Sequence, residues 1–279
     1  MTVTEAITLF RNHQKASLKE RTQQSYKYLL QRFEEMFSNR SFESIGPEEI
    51  CQFLEVLTEH YAKSTRRLRY AQTKALYSLI IETCSLNIKN PCSAPVLSKS
   101  FKLPKQKPRT ILDKEAVDEM NYTTRSLRDR LILELQARCG LRIGETLRLK
   151  VSDVSDRRLL LQEPNSGKEE EVAFMPEQVA KRLDEYIQKE ALAPGDRLFS
   201  ICYSTARSLV KQYGEKLNVK ISPHDLRRHS ATYASRNGVP LEIISKVILR
   251  HQDLKTTQVY LGKVSDTEAI RWMDTLHER

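Results

Sequence analysis

Through most of the chain, apolar residues recur every three or four positions, the spacing that gives a helix one buried face. Tyr26, Leu29, Leu30, Phe33 and Phe37 follow it, and so do Ile50, Phe53, Leu54 and Leu57. Start signals agree: Thr2 and Glu5 can cap each other, and Pro47 followed by Glu48 and Glu49 suits a first helical turn. With a further segment from about Ser64 to Thr83, four helices fill residues 1 to about 88. After residue 110, helices are predicted near 113–121, 125–139, 142–149, 176–190, 203–217, 223–237 and 240–248, with Gly238 as a C-terminal stop. Two short runs break the helical pattern. Arg158-Leu159-Leu160-Leu161-Gln162 and Glu171-Val172-Ala173-Phe174 read as strands around a turn containing Asn165, Ser166 and Gly167, which puts Lys168 at a hairpin tip. The expected fold is mainly α with a small β-sheet, an α+β arrangement, in the C-terminal part.

Between these regions, residues 91–109 carry Pro91, Pro95, Pro104 and Pro108 among Lys99, Lys102, Lys105, Lys107 and Arg109, with little apolar periodicity. They read as an extended basic linker joining a helical domain (1–90) to a C-terminal domain (110–279). Its five positive charges fit contact with a polyanion and fit a solvated tether equally well.

Charge sharpens this division. The net charge is +10, and residues 1–109 hold 18 Lys+Arg against 10 Asp+Glu while the remainder hold 28 against 26. The first part is therefore the expected electrostatic grip on a nucleic acid. Arg66, Arg67, Arg69 and Lys74 on the fourth helix and Thr22, Gln23 and Lys27 on the second offer charge for phosphates and amides for base edges, although such a run also fits a plain solvated face. Apolar stretches fall far short of the ~18 residues of a membrane span, and the first residues lack a signal-peptide pattern, so a cytoplasmic, nucleoid-associated protein is expected, with no membrane partner. Five cysteines without C-x-x-C pairing or zinc spacing read as reduced and mostly buried. With no phosphate loop, dinucleotide fingerprint or H-E-x-x-H, no cofactor and no metal are expected.

The candidate chemistry lies late in the chain. His224 and Arg227 are one helical turn apart, His251 follows, and Tyr260 lies nine residues beyond it, with Arg142 and Lys168 upstream. Metal-free transfer of a phosphodiester needs these types. A tyrosine hydroxyl can hold the phosphate covalently, and planar guanidinium groups bind its non-bridging oxygens in pairs. Imidazoles move protons near neutral pH, and a lysine can protonate a departing 5′ oxygen. Each piece alone has a plainer reading: a packed tyrosine, a solvated His-x-x-Arg face, Gly140-Leu141-Arg142 as a helix stop, Lys168 as a turn residue.

Taken together, these segments resemble the tyrosine recombinase (lambda integrase) family. Cys139-Gly140-Leu141-Arg142-Ile143-Gly144-Glu145-Thr146-Leu147-Arg148-Leu149 is similar to its first arginine box, and Gly167-Lys168 with Met175-Pro176 to its lysine hairpin. His224-Asp225-Leu226-Arg227 is similar to its His-x-x-Arg box, and Leu249-Arg250-His251 through Thr256-Thr257-Gln258-Val259-Tyr260 to its final segment. The resemblance is close over 110–265 and looser before it. It implies a two-domain DNA clamp in which Tyr260 attacks the scissile phosphate and leaves a 3′-phosphotyrosyl link. Arg142 and Arg227 would hold the phosphate, Lys168 would act as general acid, and His224 and His251 would orient the phosphate and assist proton transfer. The partners implied are a double-stranded DNA recombination site and, on it, a homo-tetramer of this chain.

Three places depart from the family pattern, one of them Arg228-His229, which follows the His-x-x-Arg box where many relatives have His-Ser or Arg-Thr. The hairpin reads Lys168-Glu169-Glu170-Glu171-Val172 where relatives usually carry more basic residues, and Arg250 stands where glycine is common before the histidine. With no arm-binding domain ahead of the helical part, the chain looks more like Xer-type, transposon or simple integrase members than like large phage integrases. The same residue set would serve a type IB topoisomerase-like nicking and resealing enzyme, and a DNA-binding accessory protein could keep the fold without the reaction. From Asp266, a last helix with Ala269, Ile270, Met273 and Leu276 on one face could cover its own domain, while the resemblance favours docking on the next protomer.

Overall fold

The computed structural model describes residues 1–103, 112–164 and 170–261, excluding the side chains of residues 259 and 260. The chain divides into two compact units, Met1–Lys107 and Pro108–Arg279.

In the first unit, the apolar stripes produce α1 (Val3–Ser17), α2 (Glu20–Phe37), α3 (Pro47–Thr58) and α4 (Lys63–Thr83). Thr2 and Glu5 form the expected reciprocal cap, with Glu5 N–H donating to Thr2 Oγ1 at 3.3 Å and Thr2 N–H to Glu5 Oε2 at 2.8 Å. The buried faces meet around Phe33, whose ring stands edge-on to Phe53 at 5.1 Å between centroids and edge-on to Tyr77 at 6.3 Å. Aromatic pairs at these separations add to the stabilisation that burial alone provides.

The expected linker is corrected over its first half. Pro95 opens a short helix, α5 (Pro95–Ser100), in the first-turn position where proline's missing N–H costs nothing. Cys92, Leu97 and Phe101 are buried in the core of the first unit. Phe101 stacks on Tyr70, which donates its hydroxyl hydrogen bond to the Cys92 carbonyl at 2.8 Å. Three apolar residues spread over ten positions are too few for a periodic signal, yet each is buried in the core of this unit. Lys105, Lys107 and Arg109, the rest of that stretch, lie outside the described residues.

The second unit contains α6 (Lys114–Thr123), α7 (Leu127–Ala137), α8 (Ile143–Thr146), α9 (Glu177–Lys189), α10 (Tyr203–Lys216), α11 (Pro223–Arg236), α12 (Leu241–Ile243) and α13 (Leu254–Leu261). A three-stranded antiparallel sheet runs in the order β1 (Val154–Ser155), β2 (Arg158–Gln162), β3 (Glu170–Phe174). The pattern of alternation missed β1, because two residues are too few to show a period. Two predicted helices are also shorter: 142–149 closes after one turn, and 240–248 changes at Ile244 into a π-helical turn, Ile244–Ile248.

Helix α7 is the spine of this unit, buried from Leu131 to Ala137. Buried Glu134 on it takes both guanidinium hydrogen bonds of Arg182 from α9, each at 2.8 Å. Gly140 ends the α7 segment with φ +64°, as its place at a helix stop predicted. A Cβ there would lie 2.8 Å from the Ile248 carbonyl oxygen, so the turn needs glycine for space as well as for backbone angle. This close approach brings the segment before α8 against the segment before α13. The thiols are less buried than expected: Cys92 and Cys139 are buried, Cys51 and Cys84 are half-buried and Cys202 is exposed.

Candidate active site

Three of the sequence-predicted residues, Arg142, His224 and Arg227, line one cleft of the second unit, together with Tyr203 and Arg207 from α10. Arg142 is the residue just before α8, released from α7 by the Gly140 turn. His224 and Arg227 open α11. Its start is fixed by Ser222, which donates to Asp225 from both its backbone N–H (2.9 Å) and its hydroxyl (2.6 Å), and by Pro223 at the first helical position. His224 is exposed at that first turn and Arg227, one turn on, is 1 % exposed.

Buried arginine must be paired or hydrogen-bonded, since desolvating a lone cation costs several kcal/mol. Arg227 donates to the carbonyls of Gly140 and Leu249, bonds that hold both segments against the start of α11. The Glu145 carboxylate is the hub of the charges. It lies 2.6 Å from Arg142, 3.1 Å from Arg250 and 3.9 Å from Arg227. Burial would push its pKa up, but Arg250, the Arg142 backbone N–H and the Arg142 guanidinium outweigh burial and hold it below the ordinary carboxylate range. Arg250 also reaches buried Glu171 on β3, at 3.7 Å. Three arginines thus share two buried carboxylates, and the surplus positive charge suits an anion in the cleft.

His251 follows directly. Its Nδ1 is 2.9 Å from Thr257 Oγ1, which in turn donates to Ser245 Oγ at 2.9 Å. If the threonine proton is directed at Ser245, Nδ1 carries the ring proton and Nε2 keeps a lone pair. Burial first, then Arg227, Arg142, Arg250 and Lys246, push the His251 pKa down to about 4, so the ring is neutral at physiological pH. A neutral imidazole beside a cationic cleft can accept a proton.

Tyr260 lies in α13, which packs against α11, and its side chain is outside the described residues. Lys168 at the hairpin and the helix expected from Asp266 are likewise outside them. Sequence reasoning assigned no role to Glu145, Arg250, Tyr203 or Arg207. Glu145 stood inside the quoted box, but nothing in its spacing shows that three arginines converge on it.

Among the basic-face candidates of the first unit, Lys27 and Lys74 are exposed. Thr22 is exposed as well, and Gln23, Arg66, Arg67 and Arg69 are engaged within the domain. Gln23 Nε2 donates to the carbonyls of Gln14 (3.2 Å) and Leu18 (2.8 Å), closing the turn between α1 and α2. Arg69 Nη1 donates to the Ser25 carbonyl at 2.5 Å and to Gln72 Oε1 at 2.9 Å. Arg66 lies 5.4 Å over the Phe101 ring and Arg67 4.9 Å over Tyr70. Among the described residues no three metal-capable side chains come together, and no helix is long and apolar enough to cross a membrane.

Comparison with known proteins decides the family. The phage integrase family matches residues 111–265, and the phage integrase N-terminal SAM-like domain matches residues 7–84. The chain belongs to the phage integrase family, the tyrosine recombinases of lambda integrase type. It is 30 % identical over 171 residues to tyrosine recombinase XerA of Pyrococcus horikoshii, covering 58 % of this chain and 59 % of that protein. With a tyrosine recombinase of Pseudothermotoga lettingae it shares 27 % identity over 224 residues, 77 % of each. The match therefore spans little more than half the length of the archaeal relative. The Tn1549 transposon integrase, solved in complex with transposon right end DNA, superposes with a TM-score of 0.77 at 16 % identity over 99 % of both chains, a likeness of fold.

Proposed function

We propose that this chain is a site-specific DNA recombinase that cuts and rejoins strands through a 3′-phosphotyrosyl intermediate at Tyr260. The observation that carries the reading is the convergence of Arg142, His224 and buried Arg227 on one cleft, with neutral His251 beside them. In this mechanism the two arginines bind the non-bridging oxygens of the scissile phosphate. Their rigid seating means that they need little rearrangement as charge builds in the transition state. His251 accepts the tyrosine proton through Nε2, His224 hydrogen-bonds a phosphate oxygen, and Lys168 protonates the leaving 5′ oxygen. The energy of the broken bond stays in the phosphotyrosyl link, so rejoining needs no nucleotide.

The first unit supplies the electrostatic grip through exposed cations such as Lys27 and Lys74, with Arg66, Arg67 and Lys105 and Lys107 as further phosphate contacts. The partner is a double-stranded recombination site on which four copies assemble, in a nucleoid-associated setting. Relatives named recombinases and integrases favour strand exchange over topoisomerase-like nicking and resealing or a silent accessory role. The test uses nicked duplexes cut from the DNA flanking the gene. Wild type should accumulate a covalent adduct in EDTA without ATP, and Tyr260→Phe should bind equally and form none. An adduct persisting in Tyr260→Phe would overturn the assignment.

A further inference from the structure

We propose that Arg250 is a positioning residue which, paired with Glu171, ties the lysine-bearing hairpin to the arginine cluster. The catalytic consequence rests on the recombinase reading; the coupling itself does not.

Arg250 is an expensive choice for its position. Its φ is +51°, in the left-handed region where glycine is unstrained, so the backbone does not ask for arginine there. Its side chain is 3 % exposed, and desolvation pulls its pKa below the usual guanidinium value although Glu145 and Glu171 oppose that shift. What this residue gains is contact with several chain segments at once. Nη1 donates to the Ile248 carbonyl at 2.8 Å, and Nη2 to the Gly140 carbonyl and to Glu145 Oε2, both at 3.1 Å. Nε faces Glu171 Oε2 at 3.7 Å. One planar group therefore joins the turn after α7, the start of α8 and strand β3.

Glu171 is as unexpected as Arg250. On β3 the burial alternates, and Glu171 shares the inward face with Ala173. A buried carboxylate in that row needs compensating charge or hydrogen bonds, and the Arg250 guanidinium contributes to that compensation. β3 also packs against the π-helical turn that leads to Arg250. Arg250, which stands where the family commonly has glycine, and Glu171, from the hairpin's acidic run, thus meet in space with opposite charge. Through Glu145, the same guanidinium reaches the carboxylate that holds Arg142; through the Gly140 carbonyl, it shares an acceptor with Arg227. Losing the pair would free the base of the hairpin from the phosphate-binding arginines, without removing any group that touches DNA.

The test compares Arg250→Gly, Arg250→Lys, Glu171→Gln and the double variant Arg250→Gly with Glu171→Lys in the full chain. In the double variant the glycine accepts the left-handed backbone and the cation comes from the strand instead. Amide hydrogen exchange is read over residues 158–162 and 170–174, and adduct formation on the nicked flanking-DNA duplexes is read beside DNA affinity. Arg250→Gly should speed hairpin exchange and slow adduct formation about 100-fold, while affinity stays within about threefold. The double variant should recover most of the rate and protection, and Arg250→Lys should retain part of both. Unchanged hairpin exchange in Arg250→Gly and Glu171→Gln, or a double variant no better than Arg250→Gly, would overturn the coupling. If Arg250→Gly does not fold, the isosteric Glu171→Gln decides it alone, by the same exchange comparison. Absence of any adduct from wild type would instead remove the recombinase reading and leave the exchange result to decide the pair.

Discussion

The two units use arginine in opposite ways. In the first, Arg66 and Arg67 lie half-buried over aromatic rings and the lysines of the same face are exposed, so their charge is spread at the surface where water and salt screen it. In the second, Arg227 and Arg250 are buried, each fixed by backbone carbonyls and a shared carboxylate. Formal charge ranks the units the other way, with 18 basic against 10 acidic residues before position 110 and near balance after it. Net charge locates attraction for a polyanion; chemistry depends on a few cations that are desolvated and held in place. The second unit can be nearly neutral overall and still present the stronger local field, because its carboxylates are spent on orienting arginines.

The comparison would break most visibly at Arg227. Arg227→Lys keeps the charge but cannot span the Gly140 and Leu249 carbonyls with one compact ammonium group. Adduct formation on nicked duplex should fall by about 100- to 1000-fold, with DNA affinity within about threefold of wild type. Measured side by side, a variant that loses affinity as much as rate would show that Arg227 acts as a binding cation like those of the first unit, and the contrast would collapse.

How much of this was legible beforehand follows the same division. Periodic features were readable: the stripes of α2 and α3, the Thr2 and Glu5 cap, the Gly140 stop, the hairpin strands. Arg142, His224 and Arg227 were grouped by the resemblance of their segments to the family and not by any local period; the structure places all three on one cleft. What escaped reading was pairwise and long-range. Phe101 docking on Tyr70, Arg69 bonding across to Ser25, and Arg250 meeting Glu171 from some eighty residues away depend on which surfaces the fold brings together, which no local period encodes. Glu169-Glu170-Glu171 stood out only as an acidic run where relatives usually carry more basic residues; in the structure Glu171 is an internal counter-charge.

A smaller effect should appear with pH. His251 has its pKa lowered to about 4 in the folded protein against an ordinary value near 6.5. As pH falls through about 6.5 the unfolded chain takes up a proton that the folded chain refuses, so stability declines between about pH 6.5 and 4 and is unaffected by this group above that window. Buried His229, also lowered, adds in the same direction. Urea unfolding at pH 7.5 and 5.0 should show a loss for wild type that exceeds that of His251→Gln by on the order of 1 kcal/mol. Equal losses would mean that His251 is solvated and charged like an exposed surface residue, and that the second unit does not bury its ionisable groups as described.

The smallest expected effect belongs to the exposed lysines of the first unit, and it sharpens the contrast from the other side. Lys27 on α2 and Lys74 on α4 are exposed, so replacing either by alanine removes little packing and should leave the thermal midpoint nearly unchanged. If each neutralises one phosphate, each replacement should flatten the plot of log affinity against log salt by about 0.9, and lower affinity by only a few-fold near physiological salt. At saturating DNA the rate of adduct formation should equal that of wild type, since a diffuse cation contributes to encounter and grip and not to the charge that develops at the phosphate. A rate deficit that persists at saturation would place these lysines in the chemistry and erase the distinction between the units. An unchanged salt slope would take them off the DNA, leaving the cations over the aromatic rings and the basic stretch after Phe101 to supply the grip.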